Sequence, residues 1–576
     1  MIDYKIELKD AYKGYTYDLD KLVHPKETIA LFKERLKQKE LSVLEKTVRI
    51  DSGRIGIPVY FSICGKDAAQ TIGKKRHMGK GGTPEQAEAS AIMELAERFS
   101  LFSFIKKDLP KHCYDEIKED AIPFEYLARS VHDFSDSYRL ISIFSKIPLR
   151  WCKAYNFTQK RAYLIPIDWF FQINQYNGSS AGNCPEEAIL QGMCEVIERH
   201  VSAIVSERKI RTASVDVSDL KDPLARELLE KYKNAGIRLY INDFSLDTGI
   251  PTISVVAYDP STFPDLSEIV WTAGTTTRPE KSLIRALTEV AQLAGDFNSG
   301  TRYMPSGLPK PKSLDEIGFV INADKTVKIS DLPDISDRNM KTEIENAIEV
   351  LRKGQLNVIA VDITHPVLRI PAFYVIIPGC HFRERAKRSD FGMFLVKLVV
   401  ENENPSFALD VIDQVEKAIS ERYYLSFFKA MIFMKKGEVE KAISYFSRSL
   451  ELNPEKQDIP TIYSYMAHCM KDKGEYKKAI ELLEKAEEFD SERPDIYNLM
   501  GFCYFKLKEH KKAIKCFEKA IQIDPSSAID YANIGINYKE IGENMKALLY
   551  LKIALELDPD IGFAKSALKE ILDNLS

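Results

Sequence analysis

Three segments of this 576-residue chain carry glutamates at the same intervals. In each, a polar residue is followed four residues later by a glutamate, and three residues after that by a second acidic or amide residue. The second copy starts 101 residues after the first, and the third starts 94 residues after the second. Carboxylates that come together in this way can hold Mg²⁺ and, through it, phosphate groups. The copies are Ser90/Glu94/Glu97/Arg98, Gln191/Glu195/Glu198/Arg199 and Arg285/Glu289/Gln292.

Each copy is predicted to lie on a helix, because helix-start residues precede it. Thr83 is a typical N-cap residue, Pro84 suits the first helical turn, and Gln86 completes a capping box. Pro185 and Pro279 hold the corresponding place before the other two copies. Residues four and seven apart share one face of a helix, and the other faces are almost entirely apolar. We therefore expect three buried helices, each with one polar stripe.

Two interpretations of these stripes are open at this point. In the first, Glu94 with Arg98 and Glu195 with Arg199 form ion pairs one helical turn apart, worth roughly 0.2–0.5 kcal/mol each. Such pairs do not explain why buried helices carry carboxylates, which are costly to bury unless they are paired or bind a metal. If the stripes converge, five carboxylates face three arginines, an excess of two negative charges. We therefore favour a Mg²⁺-nucleotide site over a structural ionic core.

A glycine-rich segment precedes the first stripe, but it is not a phosphate-binding P-loop. Five residues rather than four separate Gly73 from Gly79, and Gly81 stands where Ser or Thr is required. The run from Gly79 to Gly82 is still able to direct backbone N–H groups and a helix N-terminus toward an anion. A conventional kinase is disfavoured, because its loop and catalytic signatures are absent from the sequence.

In these motifs the sequence resembles the YcaO family of ATP-utilising enzymes. The family hallmarks S-x-x-x-E-x-x-E-R, Q-x-x-x-E-x-x-E-R and R-x-x-x-E all occur here, in order and without gaps. The resemblance covers roughly residues 15–390 and includes the segment 177–183 before the second helix. Lys21 and Thr28 lie seven residues apart, as do a lysine and a serine at the family's nucleotide site.

The resemblance implies a site that uses ATP and Mg²⁺. It implies catalytic roles for Glu94, Glu195, Glu289 and Arg285. The glutamates that it implies as Mg²⁺ ligands are Glu94, Glu97, Glu195, Glu198 and Glu289. The residues that it implies at the nucleotide are Lys21, Thr28, Ser90, Glu97, Arg98, Ser180, Asn183, Glu187, Gln191 and Arg199.

Characterised YcaO enzymes use ATP to phosphorylate the oxygen of a peptide amide, and a nucleophile then attacks the amide carbon. Because phosphate is a far better leaving group than an amide oxygen, this activation is chemically sound. The resemblance thus implies a peptide or protein substrate and cyclodehydration, thioamidation or amidine formation. Azoline-forming members tend to end in a proline-rich tail, whereas this chain ends in Asp573-Asn574-Leu575-Ser576, which weighs against azolines.

From about residue 422 the chain repeats itself. Two sets of small residues recur at spacings of 37, 34 and 34 residues. Small residues at fixed places in a 34-residue helical pair are typical of tetratricopeptide repeats. We expect four repeats at 415–561 and a capping helix at 562–576. Their role is either purely structural or the binding of a peptide or protein in a concave groove. The two sets are Ala442, Ala479, Ala513 and Ala547, and Ala430, Ala467, Gly501 and Gly535.

A YcaO-like domain followed by such repeats resembles the subgroup that includes a bacterial accessory factor for β-methylthiolation of a ribosomal protein. A second function is therefore open, that of an ATP-binding scaffold whose repeats recruit a modifying enzyme. The sequence has no fused zinc-tetrad docking domain. A leader-binding, sulfur-supplying or methylthiotransferase partner is accordingly expected to be a separate chain, unless the repeats take over its role. A homodimer is left open.

The region before the repeats is predicted to be mixed α/β (α+β), because β-rich runs alternate with helical stretches. Residues 1–43 are expected to contribute to the nucleotide site and 44–400 to form the catalytic domain. We predict an exposed loop at 304–312 and a junction before the repeats at 401–410. The β-rich runs are 59–63, 237–241, 253–257, 358–361 and 372–377.

Composition excludes several other classes of function. The net charge is −4, and a nucleic-acid groove or an anionic membrane surface would favour a concentrated positive charge. We find no signal peptide and no apolar run long enough to span a membrane, and we expect a cytoplasmic protein. The nine cysteines are scattered without disulfide-framework or zinc-site spacing, which fits a reducing compartment.

Overall fold

The computed structural model describes residues 2–51, 53–73, 76–294, 297, 311–380, 382 and 390–575. They form two compact units, one that ends at Phe394 and one that begins at Leu395. The exposed loop predicted at 304–312 lies almost entirely outside the described residues.

The first unit mixes helices and strands, and the second is entirely helical over its described residues. The strands are β1 Leu44–Arg49, β2 Val59–Cys64, β3 Arg76–Lys80, β4 Lys111–His112, β5 Leu149–Asn156, β6 Arg161–Pro166, β7 Ser179–Ala181, β8 Ser214–Asp216, β9 Arg238–Asp243, β10 Thr252–Tyr258, β11 Val270–Thr275, β12 Thr326–Lys328, β13 Ile359–Asp362 and β14 Ala372–Ile376. The helices of the first unit are α1 Pro25–Gln38, α2 Lys66–Ile72, α3 Pro84–Ile105, α4 Phe124–Ala128, α5 Ser137–Phe144, α6 Ile167–Asn174, α7 Pro185–Arg208, α8 Pro223–Asn234, α9 Pro279–Ala294, α10 Gly318–Ile321, α11 Met340–Lys353 and the start of α12 Phe391–Asn402. The second unit continues with α13 Pro405–Ile419, α14 Tyr423–Lys435, α15 Val439–Glu451, α16 Ile459–Asp472, α17 Tyr476–Phe489, α18 Pro494–Lys506, α19 His510–Ile523, α20 Ala528–Glu540, α21 Asn544–Leu557 and α22 Gly562–Leu575.

The strands pair into three sheets within the described residues. One has the order β1-β2-β3, a second has the order β11-β10-β9-β8-β12, and the third runs β4-β5-β13-β14-β7 with β6 beside β5. Most neighbouring strands are antiparallel, and β8 with β12 is a parallel pair. The predicted β-rich runs all fall on strands, and the mixed α/β class predicted for this region is confirmed.

The three stripe-bearing helices each pack against a different sheet, α3 on β3, α7 on β14 and α9 on β11. Two of these contacts are very close. A Cβ atom on Gly79 would lie 2.0 Å from the backbone N of Ala91, and one on Gly274 would lie 2.3 Å from the backbone O of Ser282. Glycine at these two positions lets β3 and β11 approach α3 and α9 closely.

The predicted helix starts are confirmed for all three stripes, and α9 begins at Pro279. The Thr83 hydroxyl accepts a hydrogen bond from the backbone N–H of Gln86, and the Cys184 Sγ accepts one from Glu187. Pro84 and Pro185 begin α3 and α7. Each cap satisfies a backbone donor that the first turn of a helix leaves without a partner.

The stretch 401–410, where the junction before the repeats is expected, is mostly helical. Helix α12 extends to Asn402, and α13 begins at Pro405. The Asn404 side chain accepts a hydrogen bond from the backbone N–H of Phe407, so a polar run that resembles a linker serves as a helix cap.

The N-terminal segment, residues 2–24, contains no helix or regular strand and is held by carboxylates of the folded domain. The backbone N–H groups of Lys9 and Leu22 donate to Glu186 and Glu187 in the first turn of α7. The Asp18 side chain is fully buried, and its carboxylate accepts a hydrogen bond from the backbone N–H of Gly82. These bonds fix the segment beside the starts of α3 and α7.

In the second unit, four helix pairs form the repeats: α14/α15, α16/α17, α18/α19 and α20/α21. The four recurring alanines of the second helices are fully buried. A Cβ on Gly501 would lie 2.8 Å from the Phe517 ring, so the small residues of the first helices mark equally close contacts. Helix α22 buries Ala564, Ala567 and Ile571 against the last pair. The tetratricopeptide arrangement predicted from the spacing is confirmed.

Among the described residues, no helix combines the length and the apolar character needed to cross a membrane.

We predict that Asp18→Asn stabilises the first unit at pH 7.5 and has little effect near pH 4. Burial raises the pKa of Asp18 to about 6. The folded chain therefore binds this proton more tightly than the unfolded chain. This difference stabilises the folded chain below about pH 4, and the stabilisation, up to about 3 kcal/mol, is lost as the pH rises to about 6. Asparagine avoids this cost because it is neutral. Calorimetric melting between pH 4 and pH 8 measures the difference, with exposed Asp3→Asn as the control. An equal Tm shift at both pH values would contradict the prediction.

We predict that Ala479→Leu destabilises the repeats by about 1–3 kcal/mol, because a larger side chain has no room at a fully buried helix contact. Glu481→Leu adds the same side chain at an exposed position of the same helix and is expected to be nearly neutral. Urea unfolding followed by far-UV circular dichroism compares the two variants. Equal stability of both variants would show that the small residue does not set the packing distance.

Candidate active site

Helices α3, α7 and α9 direct their polar stripes into one cavity of about 250 Å³ in the first unit. Strands β3 and β7, helix α1 and the N-terminal segment complete its wall. Of the residues that the sequence placed at a site, only Glu198 is not in the cavity wall. Those that line it are Lys21, Thr28, Ser90, Glu94, Glu97, Arg98, Ser180, Asn183, Glu187, Gln191, Glu195, Arg199, Arg285 and Glu289.

One end of the cavity is a hydrogen-bonded group built from three parts of the chain. The Thr28 hydroxyl of α1 donates to the Asn183 side-chain oxygen at 3.0 Å. The Asn183 amide donates to Glu187 at 3.0 Å, and Lys21 lies 3.8 Å from the same carboxylate. Lys21 and Thr28, which the family resemblance implies at the nucleotide, are thus linked through the start of α7.

Arg98 organises a second corner. Its guanidinium donates to Glu97 at 2.6 Å and to the Ser179 hydroxyl at 3.2 Å, and it lies 3.7 Å from Glu94. The guanidinium also lies over the Tyr176 ring, 4.1 Å from its centroid. The Ser179 hydroxyl lies 2.5 Å from Glu97. These contacts hold the Arg98 and Glu97 side chains in fixed positions.

The third corner belongs to α9. The Arg285 guanidinium donates to Glu198 at 2.8 Å, and the backbone N–H of Thr275 donates to the same carboxylate oxygen at 3.0 Å. Glu198 is buried behind the cavity wall, where it orients Arg285. Glu289 contacts the Lys80 ammonium group.

The carboxylates of the site differ in how well their charge is compensated. Burial raises the pKa of Glu97 to about 8, with the charge of Glu195 adding to the rise and Arg98 opposing it. Burial also raises the pKa of Glu195. Burial also acts to raise the pKa of Glu94, but the opposing effects of His77 and Arg98 are larger, so the pKa of that carboxyl is lowered. Arg285 and Arg199 likewise outweigh burial and lower the pKa of Glu198.

The expected excess of two negative charges has to be corrected. Lys21 and Lys80 join the three arginines in the cavity wall, and Glu187 joins the glutamates. Even so, the raised pKa values of Glu97 and Glu195 mark two carboxylates that the cations of the chain do not fully compensate. The site therefore fits a bound cation better than a closed ionic core.

The donor set fits Mg²⁺ that is shared with a ligand. Among the described residues, no three histidine, cysteine, aspartate or glutamate side chains are grouped as a preformed metal site. Mg²⁺ commonly takes only one or two carboxylates and completes its shell with water and substrate phosphates. Glu94, Glu97, Glu195 and Glu289 are the residues in the wall that would hold it.

One backbone donor of the glycine-rich run is used within the fold. Gly79 and Lys80 lie on strand β3, and the backbone N–H of Gly82 donates to Asp18. Lys80 lines the cavity, where its ammonium group contacts Glu289. Ser180 uses its hydroxyl within the fold, where it donates to the backbone oxygen of Ala188.

Three residues near the stripes had no assigned role in the sequence interpretation. Lys80 and Ser179 line the cavity, and the buried imidazole of His77 lies 3.8 Å from Glu94. His77 and Lys80 are on β3, whose close approach to α3 depends on Gly79. The sequence signal for His77 and Lys80 was their place just before the first helix, and Ser179 lies in the segment 177–183 before the second.

Comparison with known proteins agrees with this geometry. The profile of the family described as YcaO cyclodehydratase, ATP- and Mg²⁺-binding, matches residues 78–381. Tetratricopeptide-repeat profiles match residues 424–456, 470–508 and 494–527.

Individual proteins show the same relationship. The chain is 31% identical over 383 residues to an uncharacterized protein of Methanothermobacter thermautotrophicus, covering 62% of this chain and 94% of that one. It is 28% identical over 207 residues to the ribosomal protein S12 methylthiotransferase accessory factor YcaO of Escherichia coli, covering 32% of this chain and 35% of that one.

Among solved structures, a heterocyclase in complex with substrate and cofactor superposes with a TM-score of 0.55 at 20% identity. The superposition covers 69% of this chain and spans 57% of the heterocyclase, and it supports the fold alone. The family match extends over more than half of the chain and includes all three stripes. The chain belongs to the ATP- and Mg²⁺-binding YcaO family and carries tetratricopeptide repeats after its YcaO region.

Proposed function

We propose that the chain uses Mg²⁺ and ATP to phosphorylate the oxygen of a backbone amide in a peptide or protein. A nucleophile then adds to the amide carbon, and the former amide oxygen leaves as phosphate. The modified peptide, ADP and phosphate are the products. The observation that carries this proposal is the convergence of carboxylates and cationic side chains from three buried helices on one cavity.

The cationic residues of the wall suit a triphosphate. Arg98, Arg199 and Arg285 present guanidinium groups, and Lys21 and Lys80 add ammonium groups, from separate elements around the cavity. Guanidinium groups match phosphate oxygens in geometry, and phosphoryl transfer relies mainly on positioning and charge stabilisation. In our proposal the three arginines and Lys80 bind the phosphates, and Lys21, Thr28, Asn183 and Glu187 bind the nucleoside end.

In this proposal the carboxylates of the cavity wall hold Mg²⁺. Bound Mg²⁺ would offset the charge that develops on the transferred phosphoryl group. Glu94 is already kept ionised by His77 and Arg98, whereas Glu97 must lose its proton to act as a ligand. Glu198 holds Arg285 from behind, which makes Glu198 a positioning residue in this proposal.

The relative from Escherichia coli favours a second candidate function. In that alternative, the chain is an ATP-binding accessory factor that supports ribosomal-protein methylthiolation and recruits its partner through the repeats. The two candidates differ in whether chemistry on ATP is required. Biological activity that persists in a variant unable to hydrolyse ATP would favour the accessory role.

We predict that Glu94→Gln and Glu289→Gln each weaken Mg²⁺-dependent ATP binding at least about tenfold, the effect of losing one charged interaction with bound Mg²⁺. Glu85→Gln lies on the same helix as Glu94, outside the cavity wall, and is the matched control. Isothermal calorimetry with and without Mg²⁺ measures the affinity. Unchanged affinity in both folded cavity variants would reject the nucleotide site.

We predict that the amide oxygen of the substrate appears in inorganic phosphate. A peptide that stimulates ATP consumption is labelled with ¹⁸O at its backbone carbonyls and incubated with Mg²⁺ and ATP. Mass spectrometry of the released phosphate is expected to find one ¹⁸O atom per modified amide. Label that stays in the peptide, with an added phosphate on a side chain, would instead identify a kinase.

A further inference from the structure

Strand β1 is an edge strand, and a groove of about 710 Å³ runs beside it. One wall is formed by residues 42–47, at the start of β1, and the other by the second half of α1 and the turn that follows it. None of the described residues that line the groove belongs to β2, the strand on the other side of β1. The groove therefore follows the side of β1 that no strand covers.

The register shows which backbone groups point into this space. The backbone N–H of Ile50 donates to Val59, which makes these two residues a hydrogen-bonded pair of the antiparallel ladder. Hydrogen-bonded and non-hydrogen-bonded pairs alternate along such a ladder. Thr47, opposite Ser62, is therefore in a non-hydrogen-bonded pair, and it directs its N–H and C=O away from β2.

The charge of the groove favours recognition of a main chain over recognition of a charged ligand. Lys37 and Lys46 are balanced by Glu40 and Glu45, and Lys33 is held by Glu88 at 3.1 Å. An edge strand beside a helix is a common place for an extended peptide to add as a further strand. Backbone hydrogen bonds then supply affinity that tolerates different sequences.

The groove and the cavity are built on the same two helices, α1 and α3. Helix α1 lines the cavity with Pro25 and Thr28 and lines the groove with its second half. The Thr47 hydroxyl of the groove donates to Glu88, and Ala89 and Ser90, the next residues of α3, line the cavity. A peptide strand paired with β1 therefore extends beside the elements that form the nucleotide site.

We propose that this groove, residues 33–47 between α1 and β1, binds an extended segment of the peptide substrate as a strand added to β1. The proposal deepens the proposed function and rests on it for the identity of the peptide as substrate. The peptide pairs with Thr47 through backbone hydrogen bonds, while the amide to be modified lies further along the same chain.

The test uses the full chain without ATP. p-Benzoylphenylalanine replaces Lys37 in the groove or, as the control, Glu34, which is exposed on the same helix outside the groove. The probe is a biotinylated pool of random peptides of about 12 residues, enough to span ~40 Å as a strand. A second pool carries a methyl group on alternate backbone nitrogens and so lacks half of its donors. We expect light-induced capture at position 37 from the first pool, about fivefold to tenfold lower capture from the methylated pool, and little at position 34.

A pair of variants isolates the backbone group of the chain itself. Thr47→Pro and Thr47→Val both lose the hydroxyl bond to Glu88, but only proline removes the N–H that faces the groove. In chains that carry the crosslinker at position 37, we expect about fivefold lower capture with Thr47→Pro than with Thr47→Val.

Equal capture of both peptide pools, or crosslinking only between two copies of this chain, would overturn the proposal. The pool comparison leaves β1 unchanged and decides the question even if Thr47→Pro misfolds. Mg²⁺-ATP calorimetry on the same proteins separates the two proposals, because groove variants are expected to keep nucleotide affinity.

Discussion

The cost of placing carboxylates inside a folded chain governs this structure. Glu94, Glu97, Glu195 and Glu289 lie on helices whose other faces are packed in the core, and each must be compensated by a cation or stay protonated. The chain supplies part of that compensation through Arg98, Arg285 and Lys80 and leaves part of it unmet, as the raised pKa values of Glu97 and Glu195 indicate. An exogenous cation resolves the imbalance without adding a residue. The same imbalance distinguishes a binding site from a buried ion-pair network, in which every carboxylate would be matched.

The same strand–helix packing arrangement positions more than one of the stripe-bearing helices. A strand packs closely on a helix that carries a polar stripe, with glycine at the point of contact in β3 and β11. The three helices then converge so that residues far apart in sequence face one cavity. Carboxylates in the first turn of α7 receive backbone N–H groups of the N-terminal segment, which brings Lys21 to the same place.

Much of this arrangement was accessible from the sequence, because it is periodic. The intervals of four and three residues place the stripe residues on one face of a helix whatever the surrounding fold. Repeated small residues likewise defined the helical pairs of the second unit.

Lys80, Ser179 and His77 could not be assigned in this way, since strand residues reach a site through sheet position and not through a recurring interval. The burial of Glu198 behind Arg285 depends on how two helices meet, which no local pattern records. At Asn404, a cap residue and a linker residue look the same until the following helix is known.

The identity of the cavity as a nucleotide site is tested most directly by where a divalent cation binds. Crystals of the chain grown with Mn²⁺ and a non-hydrolysable ATP analogue, measured at the manganese absorption edge, locate the metal without reference to any assumed mechanism. We predict anomalous peaks inside the cavity, between the analogue's phosphates and carboxylates drawn from Glu94, Glu97, Glu195 and Glu289. Manganese found elsewhere, or a cavity closed by ion pairs of the chain with the analogue absent, would contradict this prediction.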